Sequence, residues 1–276
     1  MSDPVHPPRT YLFVPGSRPE RFAKALAAGA DAVVLDLEDA VAEGHKTSAR
    51  DAVCLWLSGV APAERERAVV RINDAGSNWF EHDLQALAAV GQRQVMLPKA
   101  ESPGQVAEVL GRLPGAQVLA LIESARGVAE VDRIAAARGV SRLVFGTLDF
   151  ALDLDLDATQ DAVGLVYAAS RISIASRVAG LAAPVAGVTP QIDDETRLLA
   201  DWAGARSHGF GAKLCIHPKQ VAPIHQAMRP GAAALEWAKR VLAAEAASPG
   251  AARLDGRMVD RPVVLQAQRV LRLGER

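Results

Sequence analysis

The fold class this sequence predicts is α/β, a single (β/α)8 TIM barrel with a C-terminal helical extension, and three observations predict it. Short β-branched or aliphatic runs alternate with alanine-rich amphipathic stretches at intervals of roughly thirty residues. Eight such runs can be marked, the number that closes a barrel of parallel strands. The chain has 276 residues, half of them hydrophobic, slightly more than the ~250 typical of that fold and enough to fill one large core. An open doubly wound sheet is the alternative the same alternation permits.

Taken in order, residues 11–14 (YLFV) read as the first strand, with Pro19 at a first helical turn after it and Gly29 where that helix stops. Residues 32–37 (AVVLDL) are the second. Their unbroken Val33-Val34-Leu35 run implies burial on both faces, as in a parallel sheet covered by helices. Residues 68–72 (AVVRI) and 94–97 (QVML) follow, and then Ser102-Pro103, an N-cap with proline at the first helical position. Residues 117–122 (QVLALI), 142–145 (RLVF), 184–188 (PVAGV) and 213–216 (KLCI) complete the set. A helical stretch over 232–247, a Ser-Pro-Gly break at 248–250 and the segment DGRMVDRPVVLQAQRVLRLG remain. This tail is too short for a separate fold, so the barrel is expected over 1–230 and a helical lid or oligomerisation extension over 231–276.

Composition excludes several functions. With 31 basic against 32 acidic residues there is no cationic excess to hold nucleic acid or an anionic membrane. No segment reaches the ~18 uninterrupted apolar residues of a membrane helix, and the start lacks a basic region followed by an apolar one. Two cysteines, Cys54 and Cys215, give neither a disulfide framework nor a metal knuckle. A cytoplasmic chain acting on a small molecule, with no nucleic-acid or membrane partner, is the expectation.

Barrel enzymes build their chemistry at the C-terminal ends of the strands. Here the second strand runs into Glu38 and Asp39, the third ends with Arg71, the fourth meets Lys99, the fifth Glu123, the sixth Asp149 and the eighth His217. Glu123 and Asp149 follow neighbouring strands. Two carboxylates that close repel unless one keeps a proton or a cation lies between them, and hard oxygen donors in so small a number suit Mg2+. They also suit ordinary rim acids paired to Arg71 or Lys99. Arg71 offers a fixed fork for a carboxylate or oxyanion, or a counter-charge for Glu38 and Asp39. Those two acids read as acceptors that aim Arg71 or as plain loop residues.

Weaker signals are set beside these. Lys99 would serve a Schiff base only if its pKa fell, and the nearby acids oppose that. Asp153-Leu-Asp155-Leu-Asp157 imitates the start of a calcium loop, but Ala158 and Gly164 occupy its glycine and glutamate positions, so a lid loop is the reading. His217 reads as structural, and Gly209 and Gly211 as a weak phosphate-approach signal.

The segments RTYLFVPGSRPERFAKALAAGADAVVLDLEDAVAEGHKTSAR, VRIN, VMLPKAES, ALIESARG, GTLDF, GAKLCIHPKQV and GRMVDRPVVLQAQ, in this order from about residue 9 to 272, resemble the citrate lyase β-subunit-like group of the HpcH/HpaI aldolase family. The resemblance rests most on LDLEDAV with Lys46 and Arg50, the VRIN arginine, the IES glutamate and the LDF aspartate. It implies a barrel that binds Mg2+ and cleaves or forms a carbon–carbon bond beside a thioester, such as a malyl-, citramalyl- or citryl-CoA. By matching motif it implies Glu123 and Asp149 as metal ligands and Arg71 as the catalytic and substrate-binding group at the thioester carbonyl. Glu38 joins Arg71 among the catalytic residues, and Asp39 and Glu123 among those that bind substrate. Asp260, in the MVD segment, would be an acid or base reaching a neighbouring subunit's barrel, although an N-cap before Arg261-Pro262 is its plain reading. The assembly implied is a homotrimer or a multiple of one. Three rival functions remain: a citrate lyase β subunit acting on a carrier-protein thioester, a metal-dependent aldolase on free 2-oxo acids, and a catalytically silent scaffold. The aldolase would need a histidine base near the barrel start, where His6 and His45 do not end strands.

Overall fold

The computed structural model describes residues 7–157, 163–248, 250 and 252–275. His6, Ala158 and Pro249 of the break at 248–250 lie outside them. The chain divides into two compact units, Met1–Ala222 and Pro223–Arg276.

The first unit is a closed barrel of eight parallel strands in sequence order. They are β1 (Thr10–Pro15), β2 (Ala32–Asp36), β3 (Ala68–Arg71), β4 (Gln94–Leu97), β5 (Gln117–Ile122), β6 (Val140–Phe145), β7 (Val185–Ala186) and β8 (Ala212–Cys215). Between them run α1 (Phe22–Ala27), α2 (Lys46–Gly59), α3 (Pro62–Arg65), α4 (Phe80–Ala89), α5 (Pro103–Arg112), α6 (Ala125–Ala129), α7 (Val131–Ala135), α8 (Thr147–Asp153), α9 (Val163–Val178) and α10 (Glu195–Ser207). The alternation of side chains along a strand explains the continuous apolar runs. Val34, Val69, Met96, Leu119, Leu121, Val144 and Leu214 fill the barrel interior, while Val33, Leu35, Val70, Val95 and Ala120 meet the surrounding helices.

All eight strands match the sequence reading within one or two residues at each end, and β7 is the shortest. Expected over 184–188, it spans Val185–Ala186 and pairs with β6 at Val144↔Val185, after a Pro184 that has no N–H to donate. Ser102 caps α5 as expected, and Gln105 completes a reciprocal capping box. Arg142 ties the N-terminal end of the barrel together, donating to the carbonyls of Ala183 and Pro8 and to the Tyr11 hydroxyl.

After α11 (Val221–Met228), the second unit consists of α12 (Ala232–Ala247), a two-stranded hairpin of β9 (Arg253–Leu254) and β10 (Arg257–Met258), and α13 (Arg261–Gly274). Ala238, Val241, Ala252, Val259 and Ala267 form its small core, with Val263, Val264 and Val270 packed on it and Leu265 left half exposed. Among the described residues no helix is long and apolar enough to cross a membrane.

Candidate active site

Parallel pairing sets Asp36, the last residue of β2, beside Arg71, the last of β3. The Arg71 guanidinium is buried and its Nε and Nη2 donate to Asp36 Oδ1 and Oδ2 at 2.7 and 2.6 Å, a bidentate clamp. Asp36 is itself fully buried and accepts the backbone N–H groups of Glu38 and Ala40 at 2.9 and 3.1 Å. Nη1 of Arg71 lies 2.9 Å from Glu38 Oε2 and 3.3 Å from Asp39 Oδ2, and the guanidinium carbon stands 4.9 Å from the Phe13 ring centre. The fork anticipated for a ligand is therefore taken on one edge by Asp36, and the Nη1 edge carries the remaining contacts. Burial opposes the charge on Arg71, but Asp36, Glu38 and Asp39 outweigh it and raise the pKa above its ordinary value. Glu38, also buried, is pushed up to about 7 by desolvation, helped by Asp39 and resisted by Arg71 and Lys99.

Glu123 follows β5 directly and is 4% exposed. Its Oε1 accepts the backbone N–H of Lys99 at 2.7 Å. Lys99 reaches that position in a left-handed conformation, φ 47°, uncommon for a residue with a β-carbon. Its ammonium donates to Glu38 Oε1 at 3.2 Å, and although burial lowers its pKa, Glu38 and neighbouring acids raise it further. That direction opposes the neutral amine a Schiff base requires. Glu123 is pushed up to about 8, first by burial and then by the charges of Glu38 and Asp149, against the Lys99 hydrogen bond. Asp149 stands in the first turn of α8, half-buried, rather than at the strand end itself, and α8 begins from Gly146 as its N-cap. The negative charge of half-buried Asp149 thus bears on the buried Glu123 carboxyl and adds to the cost of charge there.

Buried polar contacts behind the site hold these loops. Lys46 donates to the carbonyls of Leu37 and Glu38, both at 2.8 Å. Arg50 donates to Asp83 Oδ1 at 2.7 Å, and Asp83 Oδ2 accepts both the backbone and side-chain N–H of Asn73 at 2.9 and 2.7 Å. Asp36 and Asp83 are two buried acids of this candidate site that sequence reasoning missed. The signal for Asp36 was an acid closing a doubly buried strand, which requires a buried cation beside it.

Other predicted residues stand apart from this cluster. His217 accepts the Lys219 N–H through Nδ1 at a short turn, and His45 is exposed in the turn before α2. At Gly211 a β-carbon would meet the Ala183 β-carbon at 2.7 Å, so close packing accounts for that glycine. Asp153 accepts the Ala125 N–H, while the rest of the imitated calcium loop at 158–162 lies outside the described residues. Asp260 belongs to the second unit, where it is exposed and caps α13 by accepting the Val263 N–H at 3.2 Å. No cluster of three or more His, Cys, Asp or Glu in metal-holding geometry occurs among the described residues.

Residues 9–218 match the family model described as HpcH/HpaI aldolase/citrate lyase. A citrate lyase subunit beta-like protein of Mycobacterium tuberculosis is 41% identical over 267 residues, covering 95% of this chain and 94% of that protein. A (3S)-malyl-CoA thioesterase of Cereibacter sphaeroides is 32% identical over 279 residues, covering 100% and 97%. The crystal structure of CitE from Mycobacterium tuberculosis in complex with magnesium, acetoacetate and coenzyme A aligns with a TM-score of 0.87 and 39% identity, covering 97% of this chain and 98% of that one. The chain belongs to the HpcH/HpaI aldolase/citrate lyase family, among its citrate lyase β-subunit-like enzymes.

Proposed function

We propose that this enzyme cleaves, or in reverse forms, the carbon–carbon bond of a 3-hydroxy-acyl thioester of the malyl-, citramalyl- or citryl-CoA kind, giving an acyl thioester and an oxo acid, with Mg2+ as cofactor. The observation that carries the reading is the convergence of Glu123 and Asp149 beside an arginine whose orientation Asp36 fixes. The donor set suits magnesium: carboxylate oxygens alone, from two neighbouring elements, with glycine at 146 leaving Glu123 its room. Glu123 and Asp149 would hold the ion. When bound, magnesium supplies Lewis-acid charge that makes the substrate hydroxyl easier to deprotonate and orients the bond to be broken.

The chain's own groups do the rest. As the substrate hydroxyl loses its proton to solvent water, its electron pair forms the new carbonyl and the pair of the breaking carbon–carbon bond moves toward the thioester carbonyl, where Arg71 stabilises the negative charge that grows on the oxygen. Because Asp36 holds the opposite edge of the guanidinium before reaction, little reorganisation is required as that charge develops. Glu38, fixed between Arg71 and Lys99, keeps the Nη1 edge aimed, and Asp39 borders the substrate. Lys99 steadies Glu123 through its backbone N–H. Asp260, supplied by a neighbouring copy in a trimer or a multiple of one, gives a proton to the enolate carbon and takes it back in the condensing direction. The Cereibacter thioesterases favour a second reading, in which hydrolysis of the thioester follows on the same site.

Incubation with a panel of malyl-, citramalyl- and citryl-CoA, with Mg2+ or with excess EDTA, tests the proposal by mass spectrometry of the products. Metal-dependent appearance of an oxo acid and an acyl-CoA is expected for one member, and release of free acid and CoA alone would indicate the hydrolase. Silence across the panel would point to a carrier-protein thioester or a free 2-oxo acid. Arg71→Lys is expected to lower kcat on the active member about a hundredfold, the loss typical of removing one oxyanion donor. A variant that stays folded and keeps most of its turnover would remove Arg71 from that role.

A further inference from the structure

Asp153 ends α8, one helical turn beyond Asp149 and on the same side of the helix. A carboxylate in the last turn meets the partial negative charge of unpaired carbonyls, so nothing within α8 itself calls for an acid there. Its partner lies in another element. Asp153 Oδ2 accepts the backbone N–H of Ala125 at 2.7 Å, and Ala125 is the first residue of α6, two residues after Glu123. At the other end Gly146, which starts α8, donates its N–H to the Ile122 carbonyl at 2.9 Å, immediately before Glu123. Glu123 and Asp149 are therefore members of one closed circuit. One arm is the segment 122–125 and the other runs from Gly146 along the whole of α8 to Asp153, with a hydrogen bond joining the arms at each end. Phe150 and Ala151 pack α8 into the core between these ends, and the Asp153 bond is the tie that joins its last turn to the segment carrying Glu123.

We infer that Asp153 is a positioning residue that sets the distance between Glu123 and Asp149, and so tunes divalent-cation affinity from outside the carboxylate pair. The inference rests on the metal reading above. The test is binding of Mn2+ alone to the metal-stripped full chain, followed by electron paramagnetic resonance of the free ion, with thermal melting in EDTA as control. Asp153→Ala is expected to raise Kd about tenfold, as for other groups that orient metal ligands. Asp153→Asn, which keeps a side-chain carbonyl acceptor, is expected to stay within about threefold. Ala125→Pro deletes the donor at a helix position that accepts proline, after a Ser124 whose extended backbone (φ −142°, ψ 161°) suits the residue before one. It should reproduce the loss and add nothing in combination with Asp153→Ala. It also keeps the inference testable if Asp153→Ala does not fold.

Wild-type Mn2+ affinity in Asp153→Ala or Ala125→Pro overturns the inference, and so does a lowered melting temperature with unchanged Kd, the mark of a merely structural bond. Glu123→Gln separates the two readings. If it loses Mn2+ while Asp153→Ala keeps it, only the positioning role falls; if it binds as wild type does, the metal site falls and this inference with it.

Discussion

A β-carbon at Gly146 would stand 2.5 Å from Glu123 Oε2 and 2.6 Å from the Glu123 β-carbon, so the absence of a side chain at 146 is what lets the carboxylate occupy its place. Gly146→Ala is expected to displace Glu123 and to destabilise the fold by about 2 kcal/mol, the cost of overpacking, which melting would show. Lys213 gives a second test at this scale. Its ammonium is buried and donates to the Gly187 carbonyl at 2.7 Å, and burial pushes its pKa down to about 8, with Asp201 resisting. Between that value and the ordinary lysine range the folded chain binds fewer protons than the unfolded one, so wild-type stability rises with pH across the window and the cost of the charge is fully present below it. Denaturation at pH 7 and at pH 10.5 should therefore show Lys213→Met losing ground to wild type by on the order of 3 kcal/mol as pH rises. An unchanged difference would mean the lysine is not perturbed. Among the site residues, Arg71, Glu123 and Lys99 were legible because each is a charge that interrupts or ends an apolar run. Asp36 carries the same mark and was passed over, whereas Asp83 has none, since its partner is supplied only by the packing of α4.

At the scale of elements, burial on two faces made the strands readable, and the punctuation of Ser102-Pro103 made α5 so. Ser102→Ala breaks the reciprocal cap with Gln105 and is expected to lower stability by about 1 kcal/mol in a denaturant titration. Where the reading fell short, a local feature overrode composition. The second unit's hairpin was passed over although Asp255-Gly256 is a strong turn signal, and the two residues adopt φ 50° and 77° there. Strands of two residues leave too little apolar alternation to see. The end of β6 at Phe145 was read correctly, but Asp149 was taken to follow the strand directly because nothing in GTLDF marks that α8 starts at Thr147, other than the glycine whose use depends on Glu123.

At the scale of the whole molecule, the barrel was legible from length and the count of βα units, and the candidate site was sought at the strand ends. What Asp260 does was not, because its own unit explains it as a helix cap. A mixing experiment decides. Asp260→Asn, which caps equally well, and Glu123→Gln are each expected to be inactive alone. If Asp260 serves a neighbouring copy, random assortment of the two in a cyclic assembly restores about a quarter of wild-type activity. No recovery after verified subunit exchange would confine Asp260 to its own chain.

The barrel closes where Thr10, Tyr11 and Leu12 pair with Lys213, Leu214 and Cys215. That seam has a consequence in time. A ribosome adding ~5–20 residues per second needs roughly 10–40 s to travel from the first of these strands to the last. For that interval β1, the first strand synthesised, has one open edge and no partner to cover it. The nascent sheet thus keeps two edges open to mispairing, that of β1 and that of whichever strand emerged last, until the eighth strand arrives and removes both at once.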